Sequence, residues 1–195
     1  MMRRNSLSGL LILILIAVGM GALLLLDEQR DDVAPIRATT APTAPARDLF
    51  GGVGVDDITA IQLVDPNSGR RLALVMTTDD EWIMPEAPAR QIDQRTARLI
   101  ARTVADMPYQ RDFIAEQALS HYGFRADGAH SFSVFFITRS NEEHAVLIGN
   151  PTGDIERRTP GAGFYALVDE REALYIIPYD PIFYLIDQML NPPVE

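Results

Sequence analysis

The sequence predicts an α+β fold: a single N-terminal transmembrane helix, then a domain with a mostly antiparallel sheet and helices packed on it. Three observations predict this class. The chain opens with an uncharged apolar run, a stretch rich in Pro, Ala and Thr follows, and the rest carries strand and helix patterns joined by connections too short for parallel crossovers. The predicted segments are residues 1–6 as a short cytoplasmic N-terminus, 7–26 as the transmembrane helix, 27–48 as an extracytoplasmic linker and 49–195 as the globular domain.

The apolar run is long enough to cross a bilayer. At about 1.5 Å of rise per residue, Leu7–Leu26 matches a hydrocarbon core of roughly 30 Å. The run ends in four leucines followed directly by Asp27-Glu28, with no small-residue cleavage motif at that end. We therefore expect a retained anchor and not a cleaved signal peptide.

Charge asymmetry gives this anchor a predicted direction. Arg3 and Arg4 precede the run and acidic residues follow it. The positive-inside rule then places the N-terminus in the cytoplasm and the domain on the periplasmic or extracellular side of a bacterial inner membrane. Ala17 and Gly21 form a small-xxx-small pair through which a helix of another membrane subunit could approach closely.

The composition excludes several classes of function. Every basic residue is Arg, and the part of the chain after the apolar run has 15 Arg against 27 acidic residues, a net charge of −12. That charge repels phosphate backbones, so we expect no nucleic-acid binding. The absence of Cys removes disulfides, thiolate metal sites and a cysteine nucleophile.

The first half of the domain predicts a three-stranded meander followed by helices. The strands are "DDITAIQLVD", "RRLALVMTT" and Trp82–Met84, with turn chemistry at "DPNSGR" where Gly69 permits a positive φ. Asp93 is the predicted N-cap of a helix that runs to about Met107. A second short helix, about Ala115 to His121, is predicted to end at Gly123.

The second half predicts four further strands and a closing helix. The strands are "SFSVFFIT", "HAVLIGN", "GFYALVD" and "ALYIIPYD", and the helix is "DPIFYLIDQML". Asp180 is its predicted cap, with Pro181 at the first helical position. Apolar residues cover nearly its whole circumference, which leaves two interpretations open: deep packing on the sheet, or contact with a partner subunit or lipid. Under the second interpretation the contact residues include Phe183, Tyr184 and Met189.

Two groups of arginines are further candidate partner contacts. Arg95, Arg98 and Arg102 follow i, i+3, i+7 spacing on the Asp93 helix, which is typical of a solvated face and could also dock an acidic partner. Arg157 and Arg158 lie in the longest loop, Asn150–Gly161, and long loops in compact domains are often functional.

The sequence carries no recognisable constellation of catalytic residues. It lacks the G-x-S-x-G and H-E-x-x-H motifs, and Asp79-Asp80-Glu81 lacks the spacing of a calcium loop. Glu143 and His144 are strand neighbours and point to opposite faces, so they are not expected to share a metal. We therefore predict a non-enzyme without cofactor or metal.

The order of several short motifs resembles the family known as domain of unknown function 4340. The resemblance covers most of Val55 to Leu190 and implies a membrane-tethered accessory component, in some cases associated with ABC export systems of the gliding-motility type, with no assigned active site. Phe124 stands where the family usually has Leu. The matching residues are Trp82 with Pro85, His121-Tyr122-Gly123-Phe124, Ile148-Gly149, Gly163-Phe164-Tyr165 and Leu174-Tyr175-Ile176-Ile177.

These observations together predict a non-catalytic, single-span accessory subunit of a larger membrane complex, either an export system or an energy-converting complex. Its extracytoplasmic domain would brace or dock partner subunits. The alternative is a cell-surface module that binds or senses a ligand on its own; this alternative predicts an apolar pocket with a few convergent polar groups.

Overall fold

An eight-stranded antiparallel sheet lies at the centre of the domain. The computed structural model describes residues 47–125, 130–156, 161–169 and 171–194. The α+β class and the mostly antiparallel sheet are confirmed. In chain order the strands and helices are β1 (Arg47–Asp48), β2 (Ile58–Asp65), β3 (Arg70–Met76), β4 (Trp82–Ile83), α1 (Gln94–Ala105), β5 (Pro108–Tyr109), β6 (Arg111–Ile114), β7 (Phe132–Thr138), β8 (Glu143–Pro151), β9 (Gly163–Val168), β10 (Ala173–Pro178) and α2 (Tyr179–Leu190), with 3₁₀ turns at Val55–Asp57 and Leu119–Tyr122.

The strand order is β4-β3-β2-β7-β8-β9-β10-β6. The predicted meander β2-β3-β4 and the predicted run β7-β8-β9-β10 are both present, and they join where β2 pairs with β7. Leu63, Val134 and Val146 lie opposite one another across this junction. They point to the face that the helices cover, here called the helix face, and the opposite side is the second face.

Both helices pack on the helix face. In α1, helical spacing brings Ala97, Ile100 and Val104 into the core, and α2 contributes Ile182 and Leu185. Burying an aliphatic side chain of the size of Ile or Leu stabilises the fold by roughly 1.5–3 kcal/mol relative to leaving it exposed. The helix face is therefore where most of the folding free energy originates.

The predicted start of α1 is confirmed. The Asp93 carboxylate accepts hydrogen bonds from the backbone N–H of Arg95 (3.0 Å) and from the Thr96 hydroxyl (2.6 Å). The Thr96 hydrogen bond is the main reason that the pKa of Asp93 is lowered. The helix ends at Ala105, two residues earlier than predicted, and Met107 enters the core from the following turn.

The predicted cap of α2 is wrong. Strand β10 runs directly into the helix, so Pro178 is the N-cap residue and makes no side-chain cap hydrogen bond. Asp180 and Pro181 instead occupy the first turn. A proline is tolerated there because the first amide groups of a helix have no intrahelical partner.

Three short strands were not predicted. Arg47 and Asp48, assigned to the linker, form β1 and pair with β5. The predicted helix at Ala115–His121 is not formed: β6 ends just before it, and only the 3₁₀ turn Leu119–Tyr122 overlaps it. Strand β6 pairs with β10 across a long sequence separation, and such tertiary pairing leaves no local signal. Gly123 does end the turn in the left-handed region, with φ of 95°.

The predicted Leu7–Leu26 span lies outside the described residues. Among the helices that the described ranges contain, none has the length and apolar content needed to cross a membrane.

Candidate functional site

One half of the second face is covered by the segment that follows β6. Tyr122 and Phe124, both buried, pack with Leu174 into a second apolar cluster. The Tyr122 ring meets the Tyr165 ring edge-on, with centroids 5.0 Å apart, and Phe113 approaches both rings. The segment Ala115–Phe124, here called the cover, thus shields β9 and β10 from water.

Two glycines allow the cover to approach the sheet this closely. A Cβ on Gly149 would clash with the backbone oxygen of Tyr122 and lie 2.8 Å from the Phe124 ring. A Cβ on Gly123 would clash with the backbone nitrogen of Asn150. The two glycine motifs that entered the family resemblance separately therefore contact each other in the fold.

The other half of the second face has no cover among the described residues. Here β3, β2, β7 and β8 present side chains that share low polarity, with Gln62 as the one amide. Phe135 is 37% exposed and Val75 is similarly accessible. This surface, here called the open face, consists of Ala60, Gln62, Ala73, Val75, Phe135, Ile137 and Ala145.

Sequence reasoning did not single out the open face. In "SFSVFFIT" the run Val134–Ile137 is apolar on both alternating sets, so this part of the strand resembles one buried on both faces. The available signal was the neighbouring strand: Gln62 lies directly opposite Phe135, and an amide at that register indicates an accessible side.

The predicted arginine stripe lies on the exposed side of α1. Arg95, Arg98 and Arg102 line an open groove of about 600 Å³ together with Leu99 and Trp82. None of the three guanidinium groups makes an ion pair with a described residue.

Trp82 is tied to the start of α1 by an amide side chain. The Gln94 Oε1 accepts a hydrogen bond from the Trp82 backbone N–H at 2.8 Å, and its Nε2 donates to the Trp82 carbonyl at 2.9 Å. The side-chain amide of Gln94 thus bonds both backbone groups of Trp82, as the backbone of a neighbouring strand would. No local pattern of residues indicates this contact.

Two of the three predicted contact residues of the closing helix are half-buried, and the third is in the core. Met189 is only 4% exposed and packs with the sheet and α1, so it is not accessible to a partner. The Phe183 ring stacks on the Tyr179 ring, with the two ring centroids 5.8 Å apart. Burial raises the pKa of Tyr184, with the charges of Asp187 and Asp93 adding to the effect. Of the two interpretations of this helix, packing on the sheet accounts for most of its apolar surface.

A histidine–carboxylate pair lies where β9 ends beside β8. Asp169 Oδ2 is 3.2 Å from His144 Nδ1, and Asp169 Oδ1 accepts the Ala145 amide at 2.8 Å. The His144 ring stacks on Phe136 and meets the edge of Phe50. Its Nε2 is buried without a hydrogen-bond partner among the described residues. The pair thus orders the aromatic residues around Phe50.

The same cluster holds the start of the domain. Arg171 Nη1 donates to the Leu49 carbonyl at 3.1 Å, and its guanidinium carbon lies 5.9 Å from the centre of the Phe50 ring. The role of Asp169 was missed from the sequence. The β8–β9 register could have indicated it: Val168 lies opposite Val146, so the next residue, Asp169, comes beside Ala145 and His144. These contacts therefore hold Leu49 and Phe50, the first core residues after the predicted linker, in place.

Two acidic residues of the sequence, Asp80 and Glu143, lie in different surroundings. Asp80, in the predicted turn between β3 and β4, forms an ion pair with Arg139 at 2.8 Å. Glu143 lines the groove beside the open face, whereas the His144 ring packs against the Phe136 ring. Within the described ranges, no three His, Asp or Glu side chains form a group that could hold a metal ion.

Four predicted contact residues lie outside the described residues: Ala17 and Gly21 of the anchor, and Arg157 and Arg158 of the long loop.

Fold and surfaces together define a small α+β domain with helices on one sheet face, an apolar patch on the other face that no described segment covers, and an arginine groove on α1. No protein-family model matches the chain, and no curated protein or solved structure is significantly similar to it. The resemblance to the domain of unknown function 4340 family thus stays a prediction.

Proposed function

We propose that this protein is a non-catalytic accessory subunit of a larger membrane complex, and that its domain docks a partner subunit through the open face. The segment Leu7–Leu26 would anchor it in a bacterial inner membrane, with the domain on the outer side. The complex would be an export system or an energy-converting complex.

The open face is the observation that carries this proposal. It exposes the Phe135 ring on β7 and the Val75 side chain on β3 within one mainly apolar surface, with Glu143 at its β8 edge. Contiguous apolar patches on soluble domains mark interaction surfaces, because keeping them in water costs free energy that burial would recover. A partner with a matching apolar surface is therefore favoured over a charged ligand.

A ligand-binding module acting alone is the second candidate. One observation favours it: a groove of about 620 Å³ beside Phe135 combines the apolar ring with the polar groups of Gln62, Glu143 and Asp169. A few polar groups around an apolar surface is the usual composition of a small-molecule site.

Native gel electrophoresis of mild-detergent extracts from the source membrane separates the two candidates. We expect the wild-type protein to migrate in a high-mass complex and Phe135→Glu to be released from it, because a carboxylate cannot be buried in an apolar contact without a partner. Ile114→Glu is the matched control: Ile114 is also exposed, but it lies on β6, away from the open face. Thermal unfolding of both variants confirms that each still folds.

Migration of the wild type as a lone subunit would contradict the proposal and favour the ligand-binding candidate. Retention of Phe135→Glu in the complex would contradict the assignment of the docking surface to the open face.

A further inference from the structure

The outer side of α1 concentrates positive charge in an acidic protein. At about 1.5 Å of rise and 100° of rotation per residue, Arg95, Arg98 and Arg102 fall within one narrow strip that extends roughly 10 Å along the helix. The chain carries ten more acidic than basic residues, yet none of the acids that the structure describes pairs with this strip.

Acidic side chains near the strip do not neutralise it. Asp80 lines the groove but is engaged by Arg139, and the Asp93 carboxylate caps the helix. Glu81 also lines the groove without forming an ion pair with any of the three arginines. The charge of Arg95 does act on Asp93, where it helps to lower the pKa of that carboxyl, but no described residue forms an ion pair with the strip, so its guanidinium groups remain available to an anionic group from outside.

The same groove has an apolar component. Leu99 lies beside the strip, in the same groove, and is 47% exposed. Trp82, only 2% exposed, forms part of the wall, and its indole Nε1 has no hydrogen-bond partner among the described residues. A simple anion would satisfy the guanidinium groups and leave this apolar surface in water.

We propose that the arginine groove binds an acidic segment of a partner protein in which carboxylates flank an apolar side chain. Guanidinium groups bind carboxylates through paired hydrogen bonds, and the apolar side chain would cover Leu99 beside Trp82. A helical segment with acidic residues at i, i+3 and i+7 repeats at the same rise as the arginines and would match their spacing. This inference rests on the proposed docking function and adds a second contact surface with a defined partner chemistry.

Peptide binding to the full-length protein in uncharged detergent micelles tests the chemistry. The probe is a fluorescent twelve-residue helical peptide with Glu at i, i+3 and i+7 around one Leu, and the reference is the same peptide with Gln in place of Glu. We expect the Glu peptide to bind about tenfold more tightly, and its advantage to fall as salt screens the exposed charges.

A charge-matched pair of variants assigns this binding to the groove. The variant Arg95→Gln/Arg98→Gln/Arg102→Gln should lose about tenfold in affinity for the Glu peptide. The control Arg70→Gln/Arg90→Gln/Arg111→Gln removes three exposed arginines outside the groove and should change affinity less than twofold. Equal binding of both peptides, equal effects of the two variants or no binding at all would each overturn the inference.

A photoreactive diazirine residue at position 99, in the full chain in its own membrane, identifies the natural occupant. Crosslinking to a protein segment rich in Asp and Glu supports the inference. Crosslinking to lipid, to a segment without acidic residues or to nothing overturns it. The same residue at Leu119, which is similarly exposed but lies in the cover, is the positional control.

Failure of this inference differs from failure of the proposed function. If Phe135→Glu is released from the complex while the triple groove variant is retained, docking through the open face stands and the arginine groove has no part in it. If the wild type forms no complex, the proposed function fails, whatever the peptide result.

Discussion

The two halves of the second sheet face carry similar apolar side chains and differ in what covers them. On the covered half, Leu167 and Leu174 lie beneath Tyr122 and Phe124. On the open half, Phe135 remains 37% exposed. Both halves belong to one continuous sheet, so the difference arises from the connections and not from the strands.

This difference shows how the chain distributes its covering segments. The two helices occupy the helix face, and the one long excursion between α1 and β7 supplies the cover for β9, β10 and β6. No comparable described segment crosses β3, β2 and β7. The open face therefore retains apolar surface that the described residues do not bury, as expected of a surface that a partner covers.

Matched truncations of Phe124 and Phe135 should give the largest contrast between the halves. Phe124 is 6% exposed, so Phe124→Ala should lower the free energy of unfolding by about 3–4 kcal/mol through lost burial and a residual cavity. Phe135→Ala should lower it by less than about 1 kcal/mol, because the ring is already partly in water. Urea unfolding of both variants, followed by tryptophan fluorescence, measures the difference.

The comparison depends on Phe135 lacking a cover within the chain. A destabilisation by Phe135→Ala as large as that by Phe124→Ala would contradict it, since it would mean that a segment outside the described residues packs on the open face.

A glycine substitution should break the covered half with a somewhat smaller effect. Gly149→Ala places a methyl group against the Tyr122 carbonyl and the Phe124 ring, and we expect a loss of about 2–3 kcal/mol as the cover is pushed away from the sheet. Faster exchange of the backbone amide hydrogens of the cover should accompany the loss.

Gly51→Ala is the control for that measurement. The nearest atom to a Cβ at Gly51 is 3.9 Å away, and the backbone there is not in the left-handed region. Its effect should be within about 0.5 kcal/mol of zero. Equal effects of the two substitutions would contradict the role assigned to the close approach at Gly149.

The helix face could be predicted from the sequence because local patterns determine it. The period of α1 places Ile100 and Val104 on one side, and Asp93 begins the helix where its side chain can accept backbone hydrogen bonds. Gly69 has the positive φ of 71° that the turn between β2 and β3 requires. Each of these features depends on residues within a few positions of one another.

The second face could not be predicted in the same way. Strand β6 has charged residues at Arg111 and Asp112, and only its pairing with β10 makes it a strand. The cover depends on contacts between Gly123 and Asn150 that are far apart in sequence. The arginine stripe was predicted as an exposed face, but its groove requires Trp82, which reaches α1 through tertiary packing. Long-range pairings of this kind carry no periodic signal.

The smallest expected effect concerns the β2–β3 hairpin, which must hold its end of the open half without a covering layer. Asp65 accepts hydrogen bonds from the Ser68 hydroxyl (2.6 Å) and from the backbone N–H of Asn67 (2.8 Å), and the Ser68 hydroxyl is the main reason that its pKa is lowered. Because the folded-state pKa lies below the unfolded value, the carboxylate stabilises the fold above the unfolded pKa, and this contribution is lost as the pH falls through the folded pKa.

We expect Asp65→Asn to be less stable than the wild type by about 0.5 kcal/mol at neutral pH, after allowance for solvent screening. The gap should close in acid, as measured by urea midpoints between pH 7 and pH 3, roughly the range that spans carboxylate titration. Asp79→Asn removes a carboxylate that accepts no hydrogen bond from the described residues and should show no such trend. A gap for Asp65→Asn that stays constant across this range would mean that the turn is held by its shape and not by the charge of Asp65.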